Sequence, residues 1–367
     1  MGHAPASFIP PFCPRTYCRF HLDPAGWSWI HFGSYTRQCA PQRIQRFRCC
    51  HCGSTFSTQT FSTTYYLKRP DLQPEIFERL LACSGYRQIT RALKCPHTTV
   101  MGQAARLGRH ALLFLHQHGP RDPVKEPLVI DGFESFAHSQ YHPLHLNLAV
   151  GAESHFVYAL TFTELRRKGT MTAAQKRRRE ALESLHGRPE PGALTTSIEQ
   201  LVKLAAPEPR ALEVRSDEHP AYPRAFKRLE RNGWTLDHRC TPSVQARTPG
   251  NPLFPVNLLD LLLRHNSANH KRETIAFSKR HQSVVERAAL LMLWRNFTKP
   301  FSENHGGGTP AMRIQLRSTP LSVKKLLKER LFPERVKLPE LYGSYYRRKI
   351  PTARIRNPRL HQLKLAF

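Results

Sequence analysis

Acidic residues are scarce in this chain: 27 Asp and Glu stand against 56 Lys and Arg, a formal net charge of +29 over 367 residues. Such an excess repels itself and calls for a polyanion, usually nucleic acid, to offset it. Apolar runs approaching the roughly 20 residues of a membrane span are missing, so no membrane partner is expected. The start MGHAPASFIPPFC lacks a basic stretch followed by a long apolar one, which excludes a secretory signal. Ala6 stands where myristoylation needs Ser or Thr. No internal repeat is present, which excludes a solenoid. A disulfide framework fits poorly too, because the nine cysteines are odd in number and Cys49 and Cys50 are adjacent. Paired cysteines read better as metal ligands in a reducing compartment.

The length suits two to three domains. Residues 1–68 are rich in Cys, Pro, aromatics and Arg, a small module in need of a staple. Residues 70–118 carry helical periodicity, with Pro74 suited to a helix start and Thr98 to an N-cap. The Pro-rich stretch GPRDPVKEP then acts as a linker. From residue 127 the period changes: LVIDGFESF, LHLNLAVGA and HFVYALTFT read as three successive antiparallel strands. A very basic helical stretch follows, broken by GRPEPG, and then the strand ALEVRS, a helix with Gly233 as C′ residue, and the strand WTLDHRC. Helices over 257–266 and 282–297 close an α/β domain at about residue 305. Residues 306–367 read as a basic tail with one helix near VKKLLKERLF.

Cys13 and Cys18 lie in CPRTYC, and Cys49 and Cys52 form a CxxC turn in RFRCCHCGSTF. Two such turns can present four thiolates to one structural Zn²⁺. Cys39, Cys50, His21 and His51 remain alternative ligands. Arg43, Arg46 and Arg48, which flank the second turn, are expected along DNA phosphates. Residues 75–118 suit a helix-turn-helix with its turn at Lys94 to His97. Thr98, Thr99, Gln103 and Arg106, early on the last helix, are then the expected groove-facing residues.

Three acids sit in settings that suit two-metal phosphodiester chemistry, which needs carboxylates converging from distant sequence. Asp131 ends an apolar strand beside Gly132, Asp217 follows ALEVRS, and Glu286 lies early on an amphipathic helix. Glu273 rivals Glu286 as third acid, with Glu134 and Glu218 weaker rivals. The plain alternatives are a turn cap for Asp131, a helix N-cap for Asp217 and a surface ion pair for Glu286. Lys271, Arg272, Lys279 and Arg280 lie just before Glu286 and would grip phosphates.

The order CPxxxC, RFRCCHCGSTFS, helix-turn-helix, IDGF, SDEHPAY and RETIAFSKRxxxxxERAALLMLWRNFTKPFS resembles bacterial insertion-sequence transposases of the DDE type, over about residues 10 to 310. The likeness is greatest to the insertion-sequence-one-like group with an N-terminal zinc ribbon. The resemblance implies a ribonuclease-H-like core, a mixed sheet flanked by helices, as the catalytic domain over 127–305. It assigns the three acids to Asp131, Asp217 and Glu286 and implies two Mg²⁺ or Mn²⁺ ions. It further implies double-stranded DNA as substrate, with terminal inverted repeats and a target. A homodimer or larger synaptic complex and a nucleoid-associated place in the bacterial cytoplasm also follow from it. A related metal-dependent nuclease, or a DNA-binding regulator derived from a transposase, are the alternative readings.

Overall fold

A computed structural model describes residues 8–271 and 274–352. The N-terminal module is a three-stranded antiparallel sheet: β1 (Trp29–Thr36), β2 (Arg43–Cys49) and β3 (Thr55–Ser57). Its small core is Phe20, Phe47, Phe56 and Phe61 around the buried thiols of Cys13, Cys18 and Cys49. Three helices follow: α1 (Leu72–Leu81), α2 (Tyr86–Leu93) and α3 (His97–His118). Lys94 turns left-handed (φ 46°) between α2 and α3, so the tight turn expected there forms.

The central sheet contains β4 (Leu128–Phe136), β5 (Pro143–Gly151), β6 (Val157–Glu164), β7 (Ala211–Ser216) and β8 (Thr235–Cys240). Its order is β6-β5-β4-β7-β8; β4, β5 and β6 pair antiparallel, and β7 and β8 run parallel to β4. The three antiparallel strands expected from the sequence are therefore present. Between β6 and β7 come α4 (Ala173–His186) and α5 (Ala193–Ala205), separated at GRPEPG as its composition dictates. Next, α6 (Ala221–Glu230) joins β7 to β8, and Gly233, at φ 93°, lies beyond its end. The helices α7 (Phe254–Asn266) and α8 (His281–Phe297) complete the domain.

Strand alternation decides what each face of the sheet carries. Leu128 and Ile130 of β4, with Leu212 and Val214 of β7, pack on α5 and α6. Val129 and Phe133 of β4 point the other way, into a larger core with α1, α3, α7 and α8. Asp131 shares the parity of Val129 and Phe133, so its side chain faces the α7 side. Asp217, one residue past the end of β7, has the parity opposite to Val214 and faces the same way.

Helix α8 is the axle of this second core. It is buried nearly all round, polar residues included. Its polar side chains are spent internally. Asn296 bonds both the N–H and the C=O of Val157, and Arg287 donates to the Leu80 carbonyl at 3.1 Å.

Residues 310–352 correct the expectation of a basic tail. They form four short helices, α9 (Pro310–Arg313), α10 (Val323–Leu326), α11 (Pro333–Val336) and α12 (Glu340–Tyr346), whose apolar residues join the cores. Only α10, four residues long, falls in VKKLLKERLF. From α12, the Tyr342 and Tyr345 hydroxyls accept the Leu160 and Phe162 N–H groups, covering the free edge of β6. Phe332 enters the core of the N-terminal module, and Arg335 bonds the His21 carbonyl. The basic residues of this segment thus ride on apolar anchors that the high charge obscures in the sequence.

Candidate active site

The four cysteines Cys13, Cys18, Cys49 and Cys52 converge, with all their sulfur atoms within 4.8 Å of one another. The Cys13–Cys52 separation is 3.7 Å. A tetrahedron with Zn–S arms of about 2.3 Å has edges of about 3.8 Å, so the cluster has the size of a tetrathiolate zinc site. Burial favours the neutral thiol of Cys49, but N–H groups around it, including the Trp27 indole at 3.2 Å, hold it down to about 7. The remaining sequence candidates stand apart: Cys39 bonds the Leu67 carbonyl, Cys50 is exposed, and His21 bonds the Cys13 carbonyl through Nδ1.

The carboxylate site lies on the α7 side of the sheet. Asp131 does not end its strand: β4 runs on to Phe136, and Asp131 sits in its middle. Its Oδ1 accepts the N–H of Gly132 at 2.7 Å. Burial and then the charge of Asp217 push Asp131 up to about 6, against the opposing pull of Gly132, His145 and Arg247. Asp217 accepts the N–H of His219 at 3.0 Å, but it does not cap α6, whose N-cap is Pro220, so the helix N-cap weighed for it is not what the structure shows.

The third acid in this locus is Asp260, on α7, which sequence reasoning missed. Burial and then the charge of Asp131 raise it to about 8, while Arg264 and Arg247 pull it down. Its Oδ1 is buried without a hydrogen-bond partner. Tyr222 is buried, and after burial itself the charges of Asp131, Asp217 and Asp260 all push its hydroxyl pKa up. Among the described residues none of the three forms an ion pair. An available signal was the lone acid in the apolar run NLLDLLL, where a carboxylate has no reason to be unless paired or liganding.

Glu286 is corrected: it belongs to the α3–α8 packing, not to this site. Its carboxylate lies 3.2 Å from Arg348 and 3.9 Å from Arg109, and Gln282 donates to it at 3.3 Å. Burial pushes its pKa up, and the Arg348 and Arg109 guanidinium groups pull it back. A Cβ on Gly108 of α3 would lie 2.5 Å from the Glu286 Cβ, so the two helices touch at this turn. Glu286 reads as the acid of an amphipathic helix, but α8 has no solvent face on which to lie. Glu134 is partly drawn into the site through His145 at 3.3 Å, and Glu218 accepts the Ser243 N–H at 3.3 Å. Glu273 and Arg272 lie outside the described residues.

Several polar groups rim the acids. His145 of β5 crosses beside Gly132, where a Cβ would stand 2.6 Å from its Nδ1. Only glycine allows that approach. His219 is lowered, first by burial and then by His145 and Lys168 against the pull of Asp217. Arg264, one turn beyond Asp260, stacks over Phe133 at 4.6 Å and donates to the Glu134 carbonyl. The site is therefore acidic at its centre and cationic at its margin.

The expected nucleic-acid contacts divide. Thr98 is exposed and Thr99 half-buried, at the start of α3 as read from the sequence. Gln103 and Arg106 are corrected: they are buried, and Arg106 donates to the Tyr65 carbonyl at 2.6 Å. The cause is length, since α3 runs on for 22 residues as a core helix against α8. Arg43 and Arg48 are exposed, and Arg46 and Arg48 lie over the Phe32 ring at 5.1 and 5.8 Å. Lys271 and Lys279 are exposed, and Arg280 is half-buried. No helix among the described residues is long and apolar enough to cross a membrane.

No protein-family model and no curated protein matches the chain. Among solved structures it is similar to the catalytic core domain of BIV integrase, at 17% identity, covering 52% of this chain and 93% of that one, with a TM-score of 0.25. It is also similar to a chain of the simian T-cell lymphotropic virus intasome in complex with PP2A regulatory subunit B56 gamma, at 15% identity, covering 65% and 72%, with a TM-score of 0.26. Likenesses this slight leave the functional reading to the residues themselves.

Proposed function

We propose that this chain is a metal-dependent DNA strand-transfer enzyme of the transposase type, with a ribonuclease-H-like catalytic domain and Asp131, Asp217 and Asp260 as its acids. The observation that carries the reading is a set of three partly buried carboxylates without an ion pair among the described residues, one oxygen of Asp260 being buried and orphaned. A protein that desolvates like charges without pairing them is built for a cation. Oxygen donors on a rigid sheet and helix fit Mg²⁺ or Mn²⁺. Asp131, Asp217 and Asp260 are the residues that would hold the ions.

When bound, such ions supply Lewis acidity at the attacking and leaving oxygens of a phosphodiester. The chain's own groups do the rest. Asp131 and Asp217 present their oxygens from adjacent parallel strands, and Asp260 closes the site from α7. His219, held largely neutral, can take a proton from the attacking water or 3′-hydroxyl. Arg247, Arg264 and Lys168 draw the flanking phosphates toward the acids and away from bulk water. The thiolate module holds Zn²⁺ structurally, since four sulfurs leave no open position. With Thr98 and Thr99 it binds the ends of the element as duplex DNA, and two such ends call for two or more copies of the chain.

The test is nicking of duplex DNA carrying the inverted repeats that flank the gene, in the presence of Mg²⁺. Asp131→Asn and Asp217→Asn should each abolish cleavage while leaving DNA binding intact. Wild-type rates from both variants would sink the reading.

A further inference from the structure

A second site, lined by none of the acids, lies where the N-terminal module meets residues 65–68 and 330–346. It is a cleft of about 1150 Å³. Five cations line it, Arg15, Arg37, Arg46, Lys68 and Arg330, against one acid, Glu334. Tyrosines are interleaved with them. Tyr17, Tyr35 and Tyr66 are exposed by 73%, 42% and 66%, high values for rings with so much apolar surface.

Two of these rings, Tyr17 and Tyr66, have fixed partners. The Tyr17 hydroxyl lies 2.6 Å from Ser54 Oγ. Tyr66 packs edge-on against Tyr65 at 4.4 Å and keeps a left-handed backbone (φ 61°), a costly conformation for an aromatic residue. Arg330 stacks on Tyr65 at 4.7 Å, fixing that ring from behind. Arg37 is braced by the Pro41 carbonyl and Gln59. Exposed rings and cations around one trough, Tyr17, Tyr66 and Arg37 among them held by neighbours, form a stacking surface with phosphate partners.

We propose that this cleft binds single-stranded DNA, with unpaired bases stacking on Tyr17, Tyr35 and Tyr66 and phosphates on Arg15, Arg37 and Lys68. A duplex keeps its base faces inside its own stack, so exposed rings gain nothing from it; unpaired bases offer a π-face each. The cations alone would hold any polyanion, and the rings add the discrimination. The site does not depend on the carboxylate chemistry, though a strand freed at a cut end is the DNA that such chemistry would supply.

The test is fluorescence anisotropy with a labelled oligothymidylate and a blunt duplex of equal length, on full-length protein with its zinc retained and no Mg²⁺ added. Wild type should hold the single strand more tightly than the duplex as salt is raised. Tyr17→Ala with Tyr66→Ala should weaken single-strand binding at least about tenfold and leave duplex binding unchanged; the two Phe replacements should restore it. Lys68→Glu should weaken single-strand binding and flatten its salt dependence. Equal loss on both DNAs, no loss on the single strand, or failure of the Phe pair to restore binding would overturn the proposal. Asp131→Asn should bind the oligothymidylate as wild type does, so failure of this site and failure of the cleavage reading are separate results.

Discussion

Asp260→Asn removes a charge that the fold tolerates at a cost. The Asp260 carboxyl is raised from its ordinary 3.8 to about 8, first by burial and then by Asp131. At about 1.4 kcal/mol per pH unit, that difference sets a ceiling of about 6 kcal/mol on the cost of the ionised form. Partial exposure and the nearby Arg247 and Arg264 reduce it, and we take about 2 kcal/mol. The folded pKa is raised, so the folded state keeps a proton that the unfolded chain has already lost. Stability from this group is intact below about pH 4, falls as pH rises from there to about 8, and stays low above it. Thermal unfolding at pH 8 without Mg²⁺ should therefore show the Asn variant a few degrees more stable than wild type. Millimolar Mg²⁺ should raise the wild-type midpoint by mass action and move the variant much less. Cleavage by the variant should fall at least about a hundredfold. An Asn variant that melts below wild type at pH 8, or that cleaves normally, would refute the assignment of Asp260 to the acid cluster.

Further outcomes follow from the same contacts. Glu286→Gln should destabilise the protein by about 3–5 kcal/mol, because Arg109 is left buried without its counter-charge; cleavage per folded molecule, measured at low temperature, should be near wild type. Gly108→Ala should be similarly damaging, since its Cβ would stand 2.6 Å from the Glu286 carbonyl oxygen and neither backbone can yield. Gly132→Ala should instead cost activity more than stability, because what it displaces is the His145 ring beside Asp131. Cys49→Ser should reduce zinc from one ion per chain toward none by metal analysis. It should also expose residues 8–61 to proteolysis, since a small thiolate module owes most of its folding energy to the ion.

What could be read from the sequence, and what could not, follows the range of the interactions involved. Strands β4 to β8 announced themselves because their alternation is local, whereas CPRTYC and the CxxC turn offered a ligand set with Cys39, Cys50, His21 and His51 still open, and the fold is what brings Cys13, Cys18, Cys49 and Cys52 together. The aspartates were legible for a related reason: each stands where an apolar strand meets a polar turn residue or a neighbouring glycine. The choice between Asp260 and Glu286 was not local. Both are acids on apolar helices, and periodicity assigns a face but not what lies opposite it. The deciding facts are Gly108, which lets α3 close onto α8 at Glu286, and Arg348, which arrives from the far end of the chain to pair with it. Arg109 and Arg348 pair with Glu286, whereas among the described residues Asp260 has no ion pair and feels Arg264 and Arg247 only through their charge. An uncompensated buried acid is expensive as structure and cheap only as a ligand site. By that criterion the acid that the fold leaves unsatisfied, not the one in the more familiar motif, is the one to be tested as the third member of the cluster.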